Sequence, residues 1–288
     1  MQALGTALSP DMVAGTTALM APSLPAADPE DLRVTADQEY GPDARHRLDV
    51  YSSTASDIRR PVIVYVHGGG FVHGAKSTPG SPYYGNVGAW AVRSGFVAVV
   101  INYRLAPQSQ WPGGAEDVAR AIAWVREHIG AYGGEPGNVF LFGQSAGSMH
   151  VADYLAHPEL HLMTGGGVRG AALISCVYDL SHADDKPFHH AYWGADRDTW
   201  AAKSSLDAIV ALDLPLLLGV AELDEPQFLA QAALLTRAWH DRRSDFPPMH
   251  RLFGQNHLST VYGLGGDGDV LGPLLDQFVQ AHRAADAD

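Results

Sequence analysis

The sequence predicts an α/β fold built on one mainly parallel sheet with helices on both faces. Three observations predict it. Continuous apolar runs at 62–66, 96–101, 139–142, 171–177 and 214–220 have the length of strands and no polar alternation, as strands buried on both faces require. Segments with apolar residues at helical spacing separate several of these runs. At 139–147, Val139, Phe140, Leu141 and Phe142 run into Gly143-Gln144-Ser145-Ala146-Gly147, which reads as strand, sharp turn and helix in succession.

Size and composition set the limits. The 288 residues are read as one domain, 1–288, because α/β folds carry that length around a single sheet. Hydrophobic residues make up 46% and charged ones 18%, a globular balance with no apolar run long enough to span a bilayer. The net charge of −13 is offset by no local cluster of Lys and Arg, so electrostatics oppose nucleic acid and anionic membrane surfaces as partners. Cys176 is the only cysteine, which excludes an intrachain disulfide, and its apolar run points to a buried inert thiol. The first basic residue is Arg33, so the start lacks the positive segment of a secretory signal and a cytoplasmic location is expected. A homodimer is the one oligomer considered.

Taken in order, residues 1–32 mix short apolar groups with Pro22, Pro25 and Pro29 and are read as one or two short helices. Residues 34–40 and 45–51, joined across Gly41-Pro42-Asp43, form an antiparallel hairpin at a sheet edge, with Leu48 and Val50 alternating with polar neighbours. After Arg59-Arg60-Pro61 the buried strands begin, and 249–253 is a weaker sixth. Helices are expected at 115–129 through Val118, Ile122, Val125 and Ile129, at 226–240 through Phe228, Ala232, Leu235 and Trp239, and at 271–279 through Leu271, Leu274, Leu275 and Phe278. The insertion 181–205 breaks the alternation. It is too long and too aromatic for a connector, and it is expected to fold with 1–32 as a small cap over the carboxyl ends of the strands, where α/β proteins bind ligands; the alternative is a surface helix that packs its aromatics on the main body.

A serine held at the tip of a strand-turn-helix could instead be incidental to a glycine-rich turn, so the rest of the chemistry decides. A serine hydroxyl is a poor nucleophile at neutral pH and needs a histidine to take its proton and a carboxylate to orient that histidine. After the run 214–220 comes Ala221-Glu222-Leu223-Asp224-Glu225-Pro226, which offers three carboxylates at the carboxyl edge of the sheet; after 249–253 comes Gly254-Gln255-Asn256-His257. Among the 14 histidines only His257 has this place. His150 reads as a packing residue, His128, His157, His161 and His240 lie near helix ends, and the pair His189-His190 has no spaced partner for a metal site. No metal and no cofactor are expected. His67-Gly68-Gly69-Gly70-Phe71 follows the strand 62–66 directly and lets backbone N–H groups approach a substrate oxygen. A phosphate-cradling loop would need a following Lys-Ser or Lys-Thr, and none is there.

With these elements the chain closely resembles the α/β-hydrolase superfamily, in particular the bacterial hormone-sensitive-lipase-like esterases and their kynurenine-formamidase-like relatives. The resemblance runs from about Arg45 to the C-terminal helix and is carried by HGGGF at 67–71, NYRLAP at 102–107, the segment Trp111-Pro112-Gly113-Gly114-Ala115-Glu116-Asp117-Val118, and GQSAG at 143–147. It implies Ser145 as nucleophile, His257 as general base and acid, and Asp224, rather than Glu222 or Glu225, as the orienting acid. The oxyanion donors it implies are the N–H groups of Gly69, Gly70 and Ala146. Gln144 departs from the pattern, since many lipase-like members carry Asp or Glu there. The activity implied is hydrolysis of small carboxylic esters through an acyl-enzyme, with an arylformamidase or amidase using the same triad as the alternative. A non-catalytic ligand-binding relative is the remote alternative, because such proteins typically lack a triad member. Phe71, Phe188, Tyr192 and Trp193 are expected to line the substrate pocket, and the aromatic cap is expected to limit acyl chains to about four carbons.

Overall fold

The computed structural model describes residues 1–26, 28–55 and 58–284, so Ala27 of the expected N-terminal cap element and the last four residues of the expected 1–288 domain lie outside the described residues. Among the described residues eight strands form one sheet: β1 (Leu32–Glu39), β2 (Arg47–Ser53), β3 (Arg60–Val66), β4 (Val97–Ile101), β5 (Gly134–Gln144), β6 (Gly170–Ile174), β7 (Leu216–Leu223) and β8 (Met249–Asn256). Their spatial order is β1-β2-β4-β3-β5-β6-β7-β8. β1 and β2 pair antiparallel as the expected edge hairpin, β2 runs antiparallel to β4, and every pairing from β4 to β8 is parallel.

The helices are α1 (Pro10–Met20), α2 (Gly85–Arg93), α3 (Gly113–His128), α4 (Ala146–Ala156), α5 (Pro187–Trp193), α6 (Leu206–Ala211), α7 (Pro226–Arg243), α8 (Ser259–Tyr262) and α9 (Gly272–His282). They cover both faces, and β3 shows how. Val62, Val64 and Val66 join one core with Val118 and Ile122 of α3, Met149 of α4 and Leu235 of α7. Ile63 and Tyr65 join the opposite core with Val87 of α2, Val261 of α8 and Phe278 of α9. Successive residues of a strand face opposite ways, so a strand buried on both faces has no polar position to spare. β8 is paired on one side only, and its Phe253 is 66% exposed, which accounts for its weaker pattern in the sequence.

Two local departures from expectation have physical causes. The helix α2 was not foreseen because Gly85 and Gly88 weaken its helical signal; a Cβ at Gly88 would lie 2.2 Å from the Tyr51 ring, so close packing on β2 requires glycine there. β6 stops at Ile174 rather than continuing to Val177, because Ser175 takes a φ of 54°. As expected, the described part of 1–32 holds a short α-helix, α1, begun by Ser9, whose hydroxyl accepts from Met12 N at 3.2 Å, and by Pro10 in the first turn. Cys176 is buried, and burial pushes its thiol well up from the usual range. No described helix is long and apolar enough to cross a membrane.

Candidate active site

β5 delivers Ser145 to the carboxyl edge of the sheet, and α4 begins at the next residue. The turn between them is sharp enough to hold Ser145 at φ 56°, ψ −128°. Its two flanking glycines are required by contact. A Cβ on Gly143 would lie 2.6 Å from the carbonyl oxygen of Gly147, and one on Gly147 would lie 2.0 Å from the carbonyl oxygen of Val66 in β3.

β7 and β8 bring Asp224 and His257 to the same edge. His257 Nδ1 donates to Asp224 Oδ1 at 2.6 Å, and both side chains are almost wholly buried. The other carboxylate oxygen, Oδ2, accepts from Ser175 Oγ at 2.5 Å and from the Ala221 N–H at 3.0 Å. Asp224 is therefore fixed from three sides. The neighbouring carboxylates point elsewhere: Glu222 accepts from Gly254 N at 2.9 Å and faces Arg251, while Glu225 accepts from Leu8 N at 3.2 Å and pairs with Lys186 at 2.7 Å. Ser145 and His257 line the same cavity, and among the described residues no hydrogen bond joins the serine hydroxyl to the imidazole. Such a contact commonly tightens only when substrate is bound.

The glycine loop after β3 lies against the serine, since a Cβ on Gly68 would stand 3.2 Å from Ser145 Cβ. Gly69 has φ +131° and Gly70 φ +56°, and a Cβ on Gly69 would meet the His73 carbonyl oxygen at 2.2 Å. Neither N–H has a protein acceptor among the described residues, and the N–H of Ala146 is at the first position of α4, where an intrahelical acceptor is lacking. His67 braces the loop: its Nδ1 donates to the Gly68 carbonyl at 2.6 Å, and its ring stacks on Tyr103 at 4.4 Å. Burial lowers its pKa to about 4, so it stays neutral.

The cavity above Ser145 has a volume of about 530 Å³. Phe71 and Phe188 line it, as do Tyr83, Tyr84, Phe228 and Tyr262, which the sequence did not single out. Leu8 and Val13 reach it from the N-terminal segment. Tyr192 and Trp193 do not line it, and the expectation for these two residues is corrected. Both are 1% exposed and pack behind Phe71, whose ring stacks on Tyr192 at 4.3 Å and meets Trp193 edge-on at 5.4 Å. The Tyr192 hydroxyl accepts from Gly114 N at 3.3 Å, which holds the ring inward. His189 and His190 also diverge: His189 donates to the Asp184 carbonyl at 2.7 Å, and His190 meets the Asp185 carboxylate at 2.5 Å. Two supports escaped sequence reasoning, Ser175 against Asp224 and Gln144, whose Nε2 donates to the His257 carbonyl at 2.8 Å. The only signal for either was position, at the carboxyl end of a strand.

The sheet order and the serine at the strand-to-helix turn define a chain with the α/β-hydrolase fold. Comparison with known proteins agrees. Residues 48–160 match the BD-FAE family model. The chain is 36% identical to Esterase LipQ of Mycobacterium tuberculosis over 161 residues, 52% of this chain and 37% of that protein. It is 38% identical to the para-nitrobenzyl esterase of Bacillus subtilis over 122 residues, 38% of this chain and 24% of that one. The matched stretches thus span well under half the length of these relatives. Solved structures share the fold over nearly the whole chain: esterase B from Lactobacillus rhamnosis, with a TM-score of 0.76, 17% identity and coverage of 93% and 92% of the two chains, and the Pyrobaculum calidifontis esterase, with 0.70, 21%, and 94% and 92%. The chain thus has the α/β-hydrolase fold and is similar, over part of its length, to the BD-FAE family model and to esterases.

Proposed function

We propose that the chain is a serine hydrolase that cleaves small carboxylic esters through an acyl-enzyme. Ser145 attacks the ester carbonyl, His257 takes the serine proton and returns it to the leaving alcohol, and water, activated by the same imidazole, releases the acid. Asp224 holds the tautomer with the proton on Nδ1 and stabilises the imidazolium. Gly69, Gly70 and Ala146 supply N–H groups for the developing oxyanion. The observation that carries this reading is the 2.6 Å hydrogen bond from His257 to a buried, triply held Asp224, beside a serine at a positive-φ turn. Esterase names among the sequence relatives support it.

The walls suit a short acyl group and an apolar or aromatic alcohol, with the N-terminal segment and the 181–205 insertion as the cap. Within the wider group, the motifs at 67–71, 102–107 and 143–147 favour the hormone-sensitive-lipase-like branch, and Leu223–Phe228 resembles the acid loop of formamidases. Rates on an aryl acetate and on N-formylkynurenine distinguish ester from formamide preference. With a single cysteine, and so no intrachain disulfide, the chain suits a reducing compartment such as the cytoplasm. The deciding test is Ser145→Ala with phosphonate labelling. The variant should fold and lose nearly all turnover, and the phosphonate should modify wild type at Ser145 alone. Undiminished hydrolysis by the variant would end the proposal.

A further inference from the structure

The backbone on either side of His257 is tied down by side chains from distant parts of the chain. Asn256 is fully buried, and its Oδ1 accepts from the N–H groups of Leu258 at 3.1 Å and Ser259 at 2.9 Å. In return, Ser259 Oγ accepts from Asn256 N at 2.9 Å, a reciprocal box that fixes the chain just before α8. Because two backbone donors occupy Oδ1, the amide orientation is set and Nδ2 must find an acceptor. The short contact is to Thr16 Oγ1 at 2.7 Å, on α1, with the weakly accepting Met12 Sδ farther off at 3.5 Å, and Thr16 is also fully buried. The Thr16 hydroxyl proton points to Met12 Sδ at 3.4 Å. A second tie joins the same segment to the acid loop, where Leu8 N donates to Oε1 of Glu225, the residue after Asp224.

We propose that Thr16 is a positioning residue for His257, acting through Asn256, so that α1 sets the base of the catalytic site as well as forming part of the cavity wall. The inference rests on the serine-hydrolase reading above. The physical reason is that His257 has no freedom to compensate: its carbonyl is held by Gln144 and Thr260, its Nδ1 by Asp224, and its ring by Phe228, stacked at 4.5 Å. Loss of the Thr16 hydroxyl leaves the buried amide with only the weak Met12 sulfur as acceptor, and Asn256 turns toward a better one at the expense of the box that places His257.

Thr16→Val keeps the shape of the side chain and removes the acceptor, while Thr16→Ser keeps the acceptor. Each is assayed on p-nitrophenyl acetate, below its melting temperature, with active sites counted by phosphonate titration so that kcat is per functional site. The expected result is a fall in kcat of about tenfold to a hundredfold for Thr16→Val, with KM within twofold and recovery in Thr16→Ser. If Thr16→Val yields too few sites to titrate, Thr16→Ala gives the same reading, with no hydroxyl and less bulk. A kcat per site within twofold of wild type in Val or Ala, or a loss that Ser does not recover, overturns the proposal. Ser145→Ala, run alongside, separates the two failures: an active Ser145→Ala enzyme would overturn the hydrolase reading and the inference with it, whereas an inactive one beside an unimpaired Thr16→Val enzyme would overturn the Thr16 proposal alone.

Discussion

Acid should unfold this protein along a slope that its buried histidines set. His67, His150 and His189 are each at most 1% exposed, and burial lowers them from 6.5 to about 4, about 3 and about 4. In the unfolded chain each takes up a proton as pH falls through 6.5; in the fold it does not until its lowered value is reached. Their contribution to stability is therefore complete above pH 6.5 and is lost as pH falls toward 4. Asp153 acts in the opposite sense, since burial raises its carboxyl well above 3.8 and the fold keeps a proton that the unfolded chain releases. The three histidine protons alone would make stability fall by about 4 kcal/mol per pH unit between about pH 6 and pH 5, and Asp153 offsets part of that slope. That is a large share of the roughly 5–15 kcal/mol that holds a domain together. Urea unfolding at closely spaced pH values measures the slope. Asp153→Asn removes the opposing proton and should steepen it to about 4 kcal/mol per unit. A wild-type stability that is flat from pH 6.5 to 5 would refute the reasoning.

Two other sets of variants probe the site and its walls. Asp224→Asn should lower kcat by about 10⁴-fold, as loss of a triad acid does. Glu222→Gln should change it little, because Glu222 faces Gly254 and Arg251, and steady-state rates that rank the pair the other way would move the acid role. Trp193→Ala should cost about 3–5 kcal/mol in urea unfolding, because the side chain is wholly buried behind Phe71. Phe188→Ala, at the cavity wall, should instead shift the acyl-chain profile toward longer esters with little loss of stability; an unmoved profile would remove Phe188 from the specificity wall.

The central strands were legible because burial on both faces leaves a continuous apolar run, and the GQSAG and HGGGF segments were legible because their glycines answer close backbone contacts. Legibility failed where side-chain direction decided the outcome. The richness of 181–205 in aromatics pointed to a cap, but Phe188 lines the cavity whereas Tyr192 and Trp193 pack behind Phe71, with Tyr192 held by the Gly114 hydrogen bond. Ser175 and Thr16 were equally silent, since each matters through a partner 49 or 240 residues distant in the chain.

The crowding at Gly147 also bears on how this protein can change. A Cβ there would strike the backbone of β3, which no alternative rotamer can move aside. Libraries that randomise Gly143 or Gly147 should therefore return almost only the parental residue, whereas Leu8, Val13 and Phe188 meet the cavity with side chains and tolerate exchange. New substrates would be won at the wall, with the elbow left as it stands.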